Sequence, residues 1–492
     1  MELDPVTCYR VLQARDPRFD GKFFSAVTTT GIYCRPICPA RTPRQENVRF
    51  FLCAASAEAE GFRPCKRCRP ETAPGTPAWN GTSTTVSTAL RLVGSGFLDE
   101  HSVAALAHRL GLGERHVRRL FLEHLGIAPN AIAQSRRAHF AARVLRDTDL
   151  PVAHVALSAG FGSIRQFNDV FRGVFGEPPG RFRKRRASSS PRRRARAAGA
   201  GKAVTLSLSY RPPYAWDHLI SFLRMRAIRG VEEVAESSYR RSVSVGRATG
   251  VLSVQRAGGG KNQLIVSVQG MEPAMLGSVV RRVRRMFDLD ADPLAIAAHL
   301  SRDARLAPLV NAFPGLRLPL TWDPFEAMVR AILGQQISVA GAITIAGRLA
   351  ERCGQDIAAD GAITRVFPTP DALARADVSD LGVPAARAKC LTAVARALVG
   401  GKLSLDGSTP PESVAQQMLQ IAGIGPWSAH YVALRGLGEP DAFPESDLGI
   451  SKALDALGYA ADRKTRKAEI DALSPWRGYA AIYLWNAIPK GA

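Results

Sequence analysis

The feature that most constrains how this chain can fold is a break near its middle. Residues 187–202, ASSSPRRRARAAGAGK, contain only Ala, Ser, Pro, Arg, Gly and Lys and show no apolar periodicity. Such a segment has nothing to bury, so it predicts a flexible basic linker. Because the chain has 492 residues, too many for one hydrophobic core, we expect separate domains on both sides of the linker.

The segments on either side of the linker differ in pattern. Residues 1–78 carry paired cysteines, and residues 84–186 have apolar positions at helical spacing. Residues 203–285 alternate strand-like pieces (AVTLSLSY, NQLIVSVQG) with one helix, and residues 286–492 are again helical, with short Gly and Pro turns. The sequence therefore predicts a multidomain, mainly α protein with α+β parts.

The charge balance narrows the class of partner. Lys and Arg number 66 against 43 Asp and Glu, a formal net charge of +23, which suits a polyanion such as DNA. Residues 181–196 hold nine cations and no acid, so this tail would contact phosphates independently of base sequence. A basic solvated surface, and a linker with no specific role, are the alternatives.

The sequence also argues against membrane insertion and secretion. No stretch approaches the roughly 18 apolar residues of a membrane helix. The N-terminus, MELDPVTCYRVLQARD, is acidic and mixed, whereas a secretory signal is basic and then apolar. We therefore expect a cytoplasmic protein with no membrane partner.

Four of the eight cysteines form two close pairs. Cys34 and Cys38 are separated by three residues, and Cys65 and Cys68 follow after 26 intervening residues. Two pairs on two tight turns supply four thiolates to a tetrahedral Zn²⁺ with little backbone strain. The pattern predicts one Zn²⁺ held by all four thiolates. Four unrelated buried thiols are the alternative.

The residues around these cysteines, TTTGIYCRPICPAR and GFRPCKRC, resemble the Ada-type methylphosphotriester repair domain over about 70 residues. The resemblance implies that a zinc-bound thiolate irreversibly accepts a methyl group from an alkylated DNA phosphate, and that Cys34 is the acceptor. Spacing alone does not choose among the four cysteines, and a purely structural zinc ribbon is the alternative.

Zinc supplies a physical reason for both the transfer and its signal. It keeps a thiol deprotonated near neutral pH, which makes the thiolate a ready nucleophile. Four thiolates on Zn²⁺ sum to −2, and methylating one of them leaves −1. We therefore expect methylation to raise DNA affinity and to make the domain a damage sensor.

Two stretches of residues 84–186 share one design: a helix, a glycine-containing turn and a second helix that starts with polar residues. They are SVAALAHRLGLGERHVRRLFLEHLG and PVAHVALSAGFGSIRQFNDVFRGVFGEPPGRFR, and the second closely resembles the AraC-type DNA-binding domain. The resemblance implies paired helix-turn-helix units on successive major grooves, a specific operator and RNA polymerase as a partner in activation. The expected DNA-contacting side chains are Arg115, Arg118, Arg119, Ser163, Arg165 and Gln166. A repair enzyme whose tandem helices only hold DNA is the alternative.

A third DNA-binding signal is IAGIGPWSAHYVALRGL. The helical segment PESVAQQMLQ leads into Gly423-Ile-Gly425, and a second helix is expected from about Pro426. Two glycines let the backbone turn sharply and approach a phosphate, which the helix N-terminus favours. This helix-hairpin-helix, taken alone, predicts only sequence-independent binding to the DNA backbone.

Asp447 follows Trp427 by twenty residues, just ahead of another helix in FPESDLGI. With DPFEAMVRAILGQQISVAGA, PWRGYAAIYLW and SYRPPYAWDHLISFLRMRAI, this arrangement resembles the AlkA-type 3-methyladenine DNA glycosylase of the helix-hairpin-helix superfamily. The likeness spans nearly all of residues 203–490. It implies a small α+β domain followed by an all-α glycosylase domain, which acts on alkylated bases in double-stranded DNA.

By position, Asp447 matches the family's catalytic aspartate. Trp427, Tyr431 and Trp485 match aromatic residues of its base pocket, and Gln335 lies in the matching pocket helix. The sequence departs from the family at Asn486, where another aromatic residue is common.

The expected chemistry follows from these side chains. Aromatic faces attract a cationic alkylated purine, and a carboxylate stabilises the oxocarbenium character that develops as the glycosidic bond breaks. The second hairpin helix begins Pro-Trp-Ser-Ala, without the lysine that a lyase uses, so we expect a monofunctional glycosylase. No cysteine follows Cys390, so we expect no iron–sulfur cluster. The alternatives are that Asp447 only caps a helix, and that a transcription factor uses the glycosylase fold only to clamp DNA.

Overall fold

The computed structural model of the chain describes residues 4–74, 84–94, 96–187, 203–358, 361–407, 409 and 411–487. The expected linker, except for its first residue, lies outside the described residues. The chain divides into two compact units. They are Met1–Pro212 with Val245–Arg284 and Leu289–Ala291, and Pro213–Ser244 with Arg285–Asp288 and Asp292–Ala492. In the described part, no helix has both the length and the apolar character that a membrane crossing requires.

The helices and strands account for most of the described residues. The helices are α1 Pro5–Ala14, α2 Ala54–Ala59, α3 Thr84–Gly94, α4 Phe97–Glu100, α5 Val103–Arg109, α6 Glu114–Leu125, α7 Pro129–Asp147, α8 Val152–Ser158, α9 Ile164–Phe175, α10 Pro179–Ala187, α11 Trp216–Arg224, α12 Leu276–Met286, α13 Pro293–Leu300, α14 Ala307–Ala312, α15 Pro324–Leu333, α16 Val339–Cys353, α17 Pro370–Arg375, α18 Ala385–Val399, α19 Pro411–Leu419, α20 Pro426–Val432, α21 Leu448–Ala456, α22 Arg463–Asp471 and α23 Arg477–Ala487. The strands are β1 Phe24–Val27, β2 Ile32–Cys34, β3 Val48–Phe51, β4 Arg63–Pro64, β5 Val204–Ser209, β6 Glu232–Val234, β7 Ser238–Val245, β8 Ala248–Arg256 and β9 Gln263–Gln269.

A four-stranded sheet carries the cysteine pairs. Its order is β3-β1-β2-β4; β2 and β4 run parallel, and the other neighbours are antiparallel. Since β2 ends at Cys34 and β4 ends one residue before Cys65, two adjacent strand ends bring the pairs together. The core beside this sheet is small, with Phe24, Ala26, Tyr33, Phe51, Ala57 and Phe62.

Helices α5 and α6 form one helix-turn-helix, and α8 and α9 form the second, with the long α7 between them. Gly111 (φ +68°) and Gly160 (φ +79°) make the two turns in a left-handed conformation that favours glycine. The repeated phenylalanines of the second unit form its aromatic core: Phe161, Phe167, Phe171, Phe175 and Phe182. Their spacing in the sequence therefore reflects packing, and it leaves the polar residues on the outer face.

The predicted strand pieces around residues 203–269 are confirmed. In the first unit, β9 pairs antiparallel with both β5 and β8. In the second unit, β6 and β7 form an antiparallel pair. Alternate residues of β9 are buried, as expected for strands with one face against a core.

The second unit is built around α15, which is apolar on nearly all sides because other helices surround it. Residues 325–329 and 331–333 of this helix are buried. The acidic Glu326 lies among them and binds two guanidinium groups, those of Arg241 and Arg330, each at 2.7 Å. These ion pairs compensate for burying the charge.

Candidate active site and zinc centre

Asp447 precedes α21 and is its N-cap. Its Oδ1 accepts the backbone N–H of Ile450 at 3.0 Å. A carboxylate at this place satisfies a helix N–H and meets the positive end of the helix dipole. Capping alone explains this one hydrogen bond.

Two indole groups account for the rest of the carboxylate's contacts. Trp427 Nε1 on α20 donates to Asp447 Oδ2 at 2.9 Å, and Trp485 Nε1 on α23 donates to Oδ1 at 3.0 Å. Three helices therefore fix both oxygens of one half-buried carboxylate. Hydrogen bonds to a carboxylate are stronger than bonds between neutral groups, so the two indoles hold the carboxylate in a defined orientation.

Beside the carboxylate lies an aromatic pair on one face of α20. The rings of Trp427 and Tyr431, one helical turn apart, have centroids 5.3 Å apart and planes inclined at 27°. Both side chains are half-buried, so part of each ring remains open to a ligand. Asn486, where the sequence departs from the resembled family, donates from Nδ2 to the Ile482 carbonyl of its own helix at 2.8 Å.

The hairpin between α19 and α20 has the backbone that its glycines predict. Gly423 has φ +93°, and a Cβ placed there would come within 3.0 Å of the buried Cys390 Sγ. Gly425 is the N-cap of α20 and is followed by Pro426 at the first helical position. Glycine is therefore required at position 423 for two reasons, the left-handed conformation and the close approach to the thiol.

Gln335, expected within a helix, instead lies in the turn two residues beyond the end of α15, where it contacts the hairpin. Its Nε2 donates to the Gly423 carbonyl at 2.9 Å and to Ser428 Oγ at 3.1 Å. Arg387 in turn donates to the Gln335 carbonyl at 2.5 Å. The amide of Gln335 therefore holds the hairpin against the helix that carries Trp427 and Tyr431.

Sequence reasoning missed a cationic group beside the aromatic pair. The Arg435 guanidinium is buried, 5.9 Å from the Tyr431 ring centroid and 4.5 Å from that of Phe222. Burial lowers the pKa of Arg435 to about 10, so it remains charged at neutral pH. From its sequence position, Arg435 would be expected to be an ordinary helix residue. Its burial depends on the packing of the folded chain.

The four paired cysteines form one cluster. The ligand atoms of Cys34, Cys38, Cys65 and Cys68 all lie within 4.8 Å of one another. Four sulfurs about 2.3 Å from a tetrahedral Zn²⁺ would be separated by roughly 3.8 Å, so the cluster fits this ion with small side-chain adjustments. These donors are the softest that proteins offer, which also suits zinc.

The four thiols differ in surroundings. Backbone N–H groups of Arg35 and Arg67 donate to Cys68 Sγ and Cys65 Sγ, each at 3.4 Å. Within the described residues we find no backbone donor to Cys34 Sγ. Cys34 is half-buried while the other three cysteines are buried. A thiolate without N–H donors keeps more of its electron density for attack on an electrophile.

The expected DNA-contacting residues of the tandem helices lie at the starts of α6 and α9. Arg115 and Arg119 are exposed, as are Ser163, Arg165 and Gln166. Arg118 is partly occupied by Glu114, 2.7 Å away. Ser163 caps α9, since its Oγ accepts the Gln166 N–H at 3.1 Å. Both helices therefore present polar side chains to solvent from their first turn.

Four family models match the chain in succession. They are the metal binding domain of Ada over residues 7–71, a helix-turn-helix domain over 106–185, the AlkA N-terminal domain over 205–323, and the HhH-GPD superfamily base excision DNA repair protein over 329–477.

Individual relatives agree with this order. The chain is 36% identical over 282 residues to DNA-3-methyladenine glycosylase 2 of Escherichia coli (strain K12), covering 57% of this chain and 96% of that protein. The solved structure of a 3-methyladenine DNA-glycosylase from Archaeoglobus fulgidus superposes with a TM-score of 0.50 at 21% identity, covering 57% of this chain and 97% of that one. This likeness shows the fold alone.

A longer relative covers both halves of the chain. The bifunctional transcriptional activator/DNA repair enzyme AlkA of Mycobacterium tuberculosis (strain CDC 1551 / Oshkosh) is 41% identical over 482 residues, covering 98% of this chain and 96% of the relative. Similarity over this length, with four matching segments in order, shows that the chain belongs to the family of AlkA-type bifunctional transcriptional activator/DNA repair enzymes.

Proposed function

We propose that the chain is a monofunctional DNA glycosylase for alkylated bases of the 3-methyladenine type, fused to a methylphosphotriester-sensing transcriptional activator, with Asp447 as the catalytic carboxylate. The observation that carries the glycosylase proposal is the hydrogen bonding of both Asp447 oxygens by Trp427 and Trp485. A helix cap needs one backbone contact, whereas a catalytic carboxylate needs a fixed orientation towards the sugar.

The geometry supports a hydrolytic mechanism. The target nucleotide leaves the duplex, at a cost that weak pairing of a damaged base reduces. Its base then lies against the Trp427 and Tyr431 rings, whose faces favour a cationic purine. As the bond from C1′ to the base nitrogen breaks, Asp447 stabilises positive charge on the sugar. The cationic base leaves as a neutral molecule with the electron pair of the broken bond. Asp447 also orients a water whose oxygen bonds to C1′ and whose proton passes to solvent, which leaves an abasic site.

Hydrolysis, and not lyase chemistry, is favoured by the residues at the start of α20. Pro426, Trp427, Ser428 and Ala429 offer no amine for a Schiff base with the sugar. Incubating the full chain with methylated DNA should release alkylated bases, detected by mass spectrometry, and leave intact abasic strands. An adduct trapped with borohydride would instead show a lyase.

We propose Cys34 as the methyl acceptor of the zinc centre. Its half-burial and the backbone N–H donors to Cys65 and Cys68 support this assignment. After reaction with DNA that carries one methylphosphotriester, peptide mapping should place one methyl group on Cys34. Cys8→Ser should react as the wild type does, and a methyl group on another cysteine would disprove the assignment.

We also propose one Zn²⁺ and no iron–sulfur cluster per chain, which elemental analysis of the purified protein can measure.

On the regulatory side we propose an operator contacted by the exposed side chains of α6 and α9, RNA polymerase as the partner in activation, and association with the nucleoid through DNA. We propose 1–78, 84–186, 203–285 and 286–492 as the domains. Footprinting at the protein's own promoter separates an activator from a repair enzyme whose tandem helices only hold DNA.

A further inference from the structure

A cavity of 190 Å³ lies in the first unit beside the turn that carries Cys34 and Cys38. Four of its lining residues, Pro17, Asp20, Arg35 and Ile37, come from the segment that matches the metal binding domain of Ada. Five come from the segment that matches the AlkA N-terminal domain, namely Ser209, Tyr210, Lys261, Asn262 and Gln263. The cavity is therefore built jointly by the two matched segments.

The buried Arg211 holds these two segments together. Arg211 is fully buried; its Nε donates to the Asp20 carbonyl at 3.0 Å and its Nη1 to the Asp290 carbonyl at 2.7 Å. Gly21, next to Asp20, has φ +76°, and a Cβ there would lie 2.4 Å from the Pro74 carbonyl oxygen and 3.2 Å from Arg211 Nη2. Only glycine allows this close approach, so the glycine at position 21 is required for the tight packing of the two segments.

The inner wall of the cavity is electrically balanced. Arg35 Nε donates to Asp20 Oδ1 at 2.8 Å, and its Nη1 donates to Thr72 Oγ1 at 2.7 Å and to the Cys68 carbonyl at 3.1 Å. Both charges are thereby compensated in their buried setting. The charge that the cavity presents to a ligand is consequently set by its rim.

The rim is the turn between β8 and β9. This turn carries the exposed Lys261 beside Asn262, and the Asn262 carbonyl accepts the Tyr210 N–H at 3.1 Å. Gln263 Nε2 also contacts Ser209 Oγ at 3.4 Å. The backbone at the base of the turn is therefore anchored to the end of β5, while the ammonium group of Lys261 extends into solvent at the edge of the cavity.

The position beside Cys34 indicates the ligand. Each DNA strand carries a phosphate about every 3.4 Å of helix axis, so a strand that presents one phosphotriester to Cys34 also brings anionic phosphates to the neighbouring surface. The zinc–thiolate centre, with a charge of −2, repels these phosphates. A cation beside the acceptor turn offsets that repulsion.

We propose that this cavity and Lys261 form a binding subsite for the unmethylated DNA phosphate that flanks the phosphotriester. The segment that matches the AlkA N-terminal domain would thus supply part of the DNA surface used by the methyl acceptor. The proposal rests on Cys34 being the acceptor.

The test compares two charge reversals in the full-length, zinc-loaded protein. Lys261→Glu acts at the rim, and Arg247→Glu places the same change on an exposed residue at the opposite end of β8. The substrate is a duplex with one methylphosphotriester, at protein concentrations below saturation. We expect Lys261→Glu to lower the rate of methyl transfer about tenfold and to reduce the salt dependence by about one ion, and Arg247→Glu to change neither.

Methyl iodide serves as a second methyl donor, because it reaches the thiolate without DNA. Lys261→Glu should react with methyl iodide at the wild-type rate, which shows that zinc and the thiolate are intact. Equal rates for Lys261→Glu and Arg247→Glu on DNA would overturn the subsite while leaving Cys34 as acceptor. If the wild type transfers no methyl group from DNA, the acceptor proposal itself fails.

Discussion

At the scale of single residues, Asp447 combines a structural contact with an oriented carboxylate. Its Oδ1 is shared between the Ile450 N–H and the Trp485 indole, and its Oδ2 accepts the Trp427 indole. These residues could be selected from the sequence because their positions match those of the AlkA-type glycosylase family. The sequence could not reveal the buried Arg435 next to Tyr431, because burial of an arginine depends on the packing of distant helices.

The indole hydrogen bond from Trp485 can be tested by a substitution that keeps an aromatic side chain at this position. Trp485→Phe deletes this N–H and leaves Asp447 Oδ1 with the Ile450 N–H alone, so the carboxylate is oriented less firmly. A hydrogen bond to a charged acceptor is worth about 1.5 kcal/mol or more, so we expect the single-turnover rate of base release to fall at least about tenfold. Trp322→Phe removes an indole N–H that donates to the Ser244 carbonyl at 3.1 Å, and should leave this rate nearly unchanged. Equal rates for Trp485→Phe and the wild type would contradict an orienting role.

At the scale of elements, the glycine-containing turns were predictable, and strand neighbours were not. The helix-hairpin-helix was expected around Gly423 and Gly425, and the structure has α19 and α20 on either side of this turn. The parallel pairing of β2 with β4, which brings the cysteine pairs together, has no signal in the sequence. Strand pairing depends on contacts between distant segments, whereas a left-handed turn depends on one residue type.

Gly423→Ala tests the hairpin as an element. Both its φ of +93° and the 3.0 Å approach to Cys390 Sγ oppose a Cβ, so the turn should shift away from its DNA-binding position. We expect affinity for a duplex with an abasic-site analogue to fall about tenfold, which corresponds to 1.4 kcal/mol. Gly458→Ala is the matched control, because Gly458 also has a positive φ (+76°) but a Cβ there would meet no atom within 4 Å. We expect this variant to lose stability and to keep its DNA affinity. Fluorescence anisotropy measures the DNA affinity of both variants. An equal loss of affinity in the two would rule out a specific role of Gly423.

At the scale of the whole molecule, the sheet that carries the cysteine pairs and the second unit depend on different sources of stability. The sheet of β1 to β4 has a small apolar core, and a small domain of this kind usually needs a metal or a disulfide. The second unit has an extended core around α15, α16 and α18. The order of the domains could be predicted from the sequence. The hydrogen bond from Arg211 to the Asp20 carbonyl, 191 positions away, could not.

Zinc removal separates these two sources of stability. Chelation should raise hydrogen exchange throughout β1 to β4, since the four thiolates lose the ion that joins their two turns. Exchange in α15 and α18 should stay slow, and release of methylated bases should continue near the wild-type rate. Loss of base release together with zinc would show that the glycosylase requires the metal-bound domain.

We propose that Asp447 performs glycosidic hydrolysis and does not merely cap α21. Asp462 caps α22 in the same way, its Oδ1 accepting the Thr465 N–H at 2.9 Å, and it provides a matched control. The decisive measurement is single-turnover release of 3-methyladenine from methylated duplex by Asp447→Asn beside Asp462→Asn, with DNA binding recorded for both. We predict that Asp447→Asn binds DNA but releases base at least about a hundredfold more slowly, while Asp462→Asn matches the wild type. Equal rates of base release by the two variants would contradict a catalytic role of Asp447.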